Sequence, residues 1–247
     1  MADNGNGRLA VVTGSNRGLG LGAARGLAAR GFRVVVSDLA AEISDEAAAS
    51  FAELGKDALY HRLDVGDDAS VAEFTGWLAT DVGRADVLVN NAGIQGDPGI
   101  IENPEDLEAA SVLRADPDVA LKTYNINTLG GLRMCQALIP PMREAGFGRV
   151  VNISSGAAQL ADMWGSYACY RMSKTAVNAL TRILAFELKG TGVLVNACDP
   201  GWTRTKMGGD SADLSINEGA DGIIWLAMLP DDGPAGGYFR ARKPLEW

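Results

Sequence analysis

Short, almost wholly apolar runs recur along this chain, each followed by a stretch with helical spacing, and few folds accept that pattern. Leu9 to Thr13 reads LAVVT, Arg33 to Ser37 reads RVVVS, Asp86 to Asn90 reads DVLVN, Arg149 to Ile153 reads RVVNI, and Val193 to Ala197 reads VLVNA. A strand with one wet face alternates polar and apolar residues. These runs do not, so they predict strands covered on both faces, as in a parallel sheet. Ala58 to Leu63 is a weaker third strand, and Tyr238-Phe239 a short last one. Helical stretches fall between them at 19–30, 46–54, 70–82, 119–137, 167–188 and 216–229. Gly31 closes the first, and Pro140-Pro141 close the fourth. The expectation is one α/β domain over residues 1–247: a doubly wound, mostly parallel seven-stranded sheet with helices on both faces. Ligands of such a sheet bind beyond the carboxyl ends of the strands. Residues 94–117 carry three of the nine prolines and read as a loop or irregular helical insert. Residues 203–215 are polar and glycine-rich and read as a mobile substrate flap.

Composition narrows the function. A chain of 247 residues buries enough surface to need no disulfide or metal staple. Its 22 basic against 31 acidic residues, net −9, repel phosphate backbones, so no nucleic-acid partner is expected. The single histidine, His61, excludes a multi-histidine metal site, and no metal is expected. Cys135, Cys169 and Cys198 lie far apart and are odd in number, as for reduced thiols in the cytoplasm. The first residues, MADNGNGRLAVV, lack the basic-then-apolar order of a signal peptide. No apolar run is long enough to span a membrane. A soluble cytoplasmic protein with no membrane partner is the expectation.

Thr13 to Gly20, TGSNRGLG, joins the first strand to the first helix. Here the chain must turn sharply and let a pyrophosphate approach backbone N–H groups. Gly14, Gly18 and Gly20 meet that demand because they lack Cβ, with Asn16, Arg17 and Leu19 between them. This is the dinucleotide cradle of a Rossmann-type domain. Asp38 follows the second strand, about twenty residues on. Its carboxylate suits the ribose 2′-OH of NAD(H) and repels a 2′-phosphate, so NAD(H) is favoured. Arg17 could pair with that phosphate, which keeps NADP(H) open.

Tyr170 and Lys174 lie four apart in the long helix and share a face. An ammonium nearby lowers a phenol toward useful acid–base range. Tyr167 competes with Tyr170, but the residue four after it is Arg171, which does not deprotonate. Ser154-Ser155, Asn90 to Gly93 and Pro200-Gly201 crown consecutive strand ends, where a site at the carboxyl edge belongs. Trp164, Trp202 and Met207 lie on adjoining loops, either lining an apolar substrate pocket or serving ordinary packing.

Together these motifs resemble the short-chain dehydrogenase/reductase superfamily: TGSNRGLG at 13–20, Asp64-Val65, NNAG at 90–93, NISS at 152–155, YRMSK at 170–174 and PGWTRT at 200–205. The resemblance spans nearly the whole chain. It implies an oxidoreductase acting on a small-molecule ketone or secondary alcohol. In it Tyr170 is the acid/base, Lys174 tunes Tyr170 and holds the nicotinamide ribose, and Ser155 bonds the substrate oxygen. Asn127 matches the asparagine that keeps a helix kinked and seats a relay water, with Asn125 as the competing position. Asp64 and Val65 would touch the adenine, Asn91 the adenosine side and Thr205 the nicotinamide carboxamide, with Ala92, Gly93, Pro200, Gly201 and Thr203 as further cofactor contacts.

DPGWTRTKMGG and IIWLAMLPDDGPAGGYF look like carbonyl reductases. Those enzymes usually carry arginine just after the second strand, for NADPH; here the stretch reads Ser37-Asp38-Leu39. Ser155 to Tyr170 is also too short for the insertion that animal members carry before the tyrosine. That leaves the tyrosine helix free to pack on a second copy, as in a homodimer or homotetramer. The competing readings are a non-catalytic dinucleotide sensor or scaffold of the same fold, and an enoyl or imine reductase. The four-residue Tyr–Lys spacing speaks against the enoyl reductase. No GxSxG elbow surrounds Ser155, which removes the serine hydrolase.

Overall fold

The apolar runs become strands, and side-chain caps set several helix starts. The computed structural model describes residues 5–56, 58–97 and 111–247. In order they form β1 (Leu9–Thr13), α1 (Gly18–Ala28), β2 (Arg33–Asp38), α2 (Asp45–Ala52), β3 (Leu59–Arg62), α3 (Asp68–Trp77), β4 (Val87–Asn90) and α4 (Pro117–Tyr124). There follow α5 (Gly130–Glu144), β5 (Gly148–Ile153), α6 (Ala168–Glu187), β6 (Val193–Cys198), α7 (Ile216–Ala227), β7 (Tyr238–Arg240) and β8 (Lys243–Pro244). Ser44 and Asp67 cap α2 and α3 by accepting the N–H groups of Ala47 and Ser70. Ser215 and Glu218 form a capping box on α7.

The strands make one sheet in the order β3-β2-β1-β4-β5-β6-β7-β8. β1 to β7 pair in parallel, and β8 returns antiparallel on β7. The sheet therefore has eight strands, one more than expected. The last arises from a hairpin through Ala241 and Arg242, both left-handed at φ 47° and 64°. Such turns usually carry glycine or asparagine, so the local sequence offered no signal.

Alternate residues of each central strand enter opposite cores. Ala10, Val12, Val34, Val36, Val87 and Val89 pack with Leu27 of α1 and Ile223 of α7. Leu9, Val11, Val35 and Leu88 pack with Phe74 of α3 and Met134 and Met142 of α5. Each such side chain contributes roughly 1.5–3 kcal/mol on burial. This two-sided burial is why the strands carry no polar alternation.

The helix expected at 119–137 is two helices joined by a wider turn at Asn125–Leu129, in which the Gly130 N–H reaches back to the Asn125 carbonyl. α5 then runs through Pro140 and Pro141 to Glu144. Leu138, Ile139 and Met142 are buried around those prolines, so packing overrides the missing N–H groups. The 70–82 stretch likewise ends in a wide turn, Leu78–Val82. Residues 98–110 of the expected insert lie outside the described residues; Val112–Arg114 is a single 3₁₀ turn. Among the described residues no helix is long and apolar enough to cross a membrane.

The strand order reverses between β1 and β4, which opens a crevice beyond their carboxyl ends. At the other end Asp86 stitches three strands. Its carboxylate accepts the Leu9 N–H at 2.9 Å and bonds Arg84 at 2.5 Å. Its backbone exchanges hydrogen bonds with Leu9 and Arg149. Asp86→Ala leaves a buried N–H without an acceptor and is expected to cost on the order of 1–3 kcal/mol. Asp86→Asn, which keeps an acceptor, should retain most of that stability. Urea unfolding of the two variants checks this, and the activity of the folded fraction should be unchanged because Asp86 lies at the far end of the sheet.

Candidate active site

Two chain segments, the glycine loop and the stretch after β4, meet at the crevice between β1 and β4. The Thr13 hydroxyl accepts the N–H groups of Asn91 and Ala92, both at 3.0 Å. The Asn91 side chain returns two bonds, to the Thr13 and Gly14 carbonyls at 2.9 and 2.8 Å. Gly14 is left-handed at φ 61°, and a Cβ there would stand 2.9 Å from Ala92 Cα; one on Gly20 would meet the Gly14 carbonyl oxygen at 2.4 Å. The loop is thus pressed tightly against the end of β4. Arg17 precedes α1, and no side chain caps the helix there. The first-turn N–H groups of Gly18, Leu19 and Gly20 form the electropositive end of a helix, the donor set an anionic pyrophosphate requires. A dinucleotide fits these residues.

Other expected contacts distribute around this cradle. Thr205 packs its methyl group against Gly18, with Cγ2 3.6 Å from where a Cβ would lie. Asp64 and Val65 sit beyond β3; the Asp64 carboxylate accepts the Gly66 N–H at 2.8 Å, and Val65 is buried under Gly130. Asp38 holds the Leu39 N–H at 2.8 Å at the end of β2. Asn16 is turned inward: its side chain bonds the Ser44 N–H at 2.6 Å and the Glu42 carbonyl at 3.1 Å, which ties the glycine loop to α2. Thr203 is buried, with its hydroxyl on the Pro200 and Gly201 carbonyls. Segment 203–215 is knit to itself through bonds from the Arg204 backbone to the Leu214 carbonyl, from Leu214 to Trp202, and from the Trp202 indole to the Gly208 carbonyl.

Ser155, Tyr170 and Lys174 come together as expected. Ser155 follows β5, and its hydroxyl stands near enough to the Tyr170 phenol to pull that group down. Lys174 donates to the Ile153 carbonyl at 2.7 Å, and its Nζ lies 5.8 Å from the Tyr170 ring centre. Burial lowers the ammonium to about 8. The phenol behaves differently from the expectation: it is pushed up to about 12, first by burial, then by the Asp199 carboxylate, with the Ser155 hydrogen bond pulling it down. Desolvation of the phenolate dominates, and the desolvated Lys174 does not offset it.

Of the two asparagines, it is Asn127 that reaches the helix carrying Tyr170. Its Nδ2 donates to the Ile94 carbonyl at 2.8 Å and to Ser173 Oγ at 2.9 Å, and its Oδ1 accepts the Ile94 N–H at 2.7 Å. Asn125 points instead at the Gly66 carbonyl. Gly93 faces this cluster; a Cβ there would lie 3.5 Å from Lys174 Nζ. Tyr167 is left-handed, and its ring meets Trp164, which stacks on Arg171. Two supports were not read from the sequence. Ser173 links Asn127 to the Tyr170 carbonyl. The Tyr238 hydroxyl donates to the Ser155 carbonyl at 2.6 Å from β7, across the intervening β6. Ser173 lies within the YRMSK run, but no local signal marked its role; Tyr238 reaches Ser155 from 83 residues away.

The sequence matches the short chain dehydrogenase family over residues 8–214. It is 31% identical to a (+)-neomenthol dehydrogenase of Arabidopsis thaliana, over 96% of this chain and 97% of that one. It is 32% identical to carbonyl reductase [NADPH] 1 of Macaca fascicularis, over 97% and 98%. A gluconate 5-dehydrogenase from Burkholderia cenocepacia, solved with NADP and tartrate, superposes with a TM-score of 0.83 at 28% identity, over 95% of this chain and 93% of that one. These relatives give no support to the preference for NAD(H) drawn from Asp38. The chain belongs to the short-chain dehydrogenase/reductase family and is a carbonyl reductase-like, NAD(P)H-dependent oxidoreductase.

Proposed function

We propose that the protein interconverts a small-molecule ketone and a secondary alcohol, with Tyr170 as acid/base. The observation that carries this is the placing of Ser155 beside the Tyr170 phenol, with Lys174 one helical turn on and fixed on the Ile153 carbonyl, at the strand edge beside the glycine loop. The bound nicotinamide supplies the hydride in reduction and takes it up in oxidation. The chain places two hydroxyls on the carbonyl oxygen. As hydride reaches the carbon, negative charge grows on that oxygen, and the fixed donors of Ser155 and Tyr170 stabilise it more than the ground state. Tyr170 then transfers its proton to the oxygen. Lys174, held by the Ile153 carbonyl, keeps its ammonium beside the phenol that must be recharged.

Gly14, Arg17, Gly18, Leu19 and Gly20 would hold the pyrophosphate, Asp64, Val65, Asn91, Ala92 and Gly93 the adenosine half, and Pro200, Gly201, Thr203 and Thr205 the nicotinamide side. Asp38 supports NADH, against the NADPH named for relatives: its carboxylate, anchored on the Leu39 N–H, would face a 2′-phosphate with like charge. Segment 203–215 forms the substrate-side flap, where exposed Trp202 and Met207 offer an apolar surface. Cys135, Cys169 and Cys198 are free and buried, which supports a reducing, cytoplasmic setting. Met172, Ile183 and Phe186 stand exposed along α6, Phe186 at 83%, which supports a homo-oligomer built on that helix.

Ketone reduction with NADH and NADPH in separate assays tests the reading. Tyr170→Phe is expected to lower kcat by about 10²–10⁴-fold, and Ser155→Ala by about 10²-fold. Full activity of Tyr170→Phe overturns the mechanism, whereas a preference for NADPH overturns only the role of Asp38. Reduction needs the protonated phenol and oxidation the phenolate. Because Tyr170 sits high, reduction should stay flat across neutral pH while oxidation climbs into the alkaline range, as pH–rate profiles in both directions will show. Phe186→Glu should shift the protein toward monomer in sedimentation if α6 forms the interface.

A further inference from the structure

α6 carries Tyr170 in its first turn, yet that turn has no cap of its own. Tyr167, the residue before the helix, offers no side-chain bond and is left-handed, as is Ser166 before it, at φ 59° and 68°. Ala168 and Cys169 are buried, so water does not serve the orphaned N–H groups there. The missing acceptor arrives from far upstream. Asp97, 9% exposed, takes the Cys169 N–H on Oδ1 at 2.9 Å and the Tyr170 N–H on Oδ2 at 2.8 Å. Both carboxylate oxygens are used, at the helix end where a negative charge is favoured.

The segment that bears Asp97 is itself fixed. Three residues earlier, Ile94 is bracketed by two bonds to Asn127. Between them Gly96 lies against α4, where a Cβ would stand 2.2 Å from Thr123 Oγ1. The other side of Tyr170 is held as well: its carbonyl accepts Ser173 Oγ at 2.7 Å, and Ser173 accepts from Asn127 at 2.9 Å. Tyr170 is thus clamped at its N–H by Asp97 and at its C=O by Ser173, and both clamps lead back to Asn127.

We infer that Asp97 is a positioning residue for the reaction, setting the phenol of Tyr170 by holding the first turn of the helix that carries it. The inference rests on Tyr170 as proton donor. Asp97 does in trans what an N-cap side chain does locally. It acts next to the reacting group, where a displacement of about 1 Å can cost about 10²-fold in rate.

The test compares wild type, Asp97→Ala, Asp97→Asn and Tyr170→Phe in ketone reduction, with kcat expressed per folded, cofactor-binding site. Asp97→Ala is expected to lower kcat about 10- to 100-fold, with KM for the reduced cofactor within about threefold. Asp97→Asn, which keeps one acceptor oxygen, should fall between it and wild type. A cap with no part in positioning would lower Tm and leave kcat per folded site within about twofold of wild type, and that result overturns the inference. If Asp97→Ala does not fold, Asp97→Asn decides by the same criterion: a kcat more than about twofold below wild type supports positioning, and a smaller change overturns it. A fully active Tyr170→Phe would remove the proton-donor reading and this inference with it. An inactive Tyr170→Phe beside an unimpaired Asp97→Ala would remove the inference alone.

Discussion

The site depends on one hydroxyl. Thr13 ends β1, and its Oγ1 receives the N–H groups of Asn91 and Ala92 from the end of β4. Those strands are neighbours only because the chain crosses the sheet after β3. The bonds convert a gap between strand ends into a shaped ledge, with the glycine loop on one side and the strand end on the other. The donor face of α1 is aimed by this junction. So is Gly93, whose missing side chain leaves room above Lys174.

The chemistry depends on dryness. Ser155, Tyr170 and Lys174 gather where β5 meets α6, and removal of water moves both titrating groups toward their neutral forms. In the proposed reaction a phenol held protonated is a ready donor for reduction, and burial would strengthen the dipoles that face the substrate oxygen. The frame is correspondingly well bonded: the Tyr238 hydroxyl fixes the Ser155 carbonyl, and Asn127 and Ser173 fix the helix opposite.

Much of this was legible in the sequence because the signals were local. Strand runs, the glycine loop, the Tyr–Lys spacing and the serine at the end of β5 each fit within a few residues. What escaped depends on distance. Asp97 acts 72 and 73 residues away from its partners. β8 forms through a left-handed Ala-Arg turn that no turn residue announces. Pro140 and Pro141 stay helical because the side chains beside them are buried, which no propensity records. The place of Asn16 among the glycines points to the cofactor, yet its amide serves the start of α2. The four-residue spacing of Tyr170 and Lys174 carries no information about desolvation, which governs both groups.

The wide turn at Asn125–Leu129 has a consequence for how this protein could change. It winds one additional residue into the path from α4 to α5. Each helical residue rotates the chain by about 100°, so that surplus residue sets which way Asn127 looks. Loss of a single codon in this stretch would mend the helix into a regular one and swing the asparagine away from Ile94 and Ser173. A more perfect helix would make a poorer enzyme, so selection should preserve the length of this segment more strictly than its lettering.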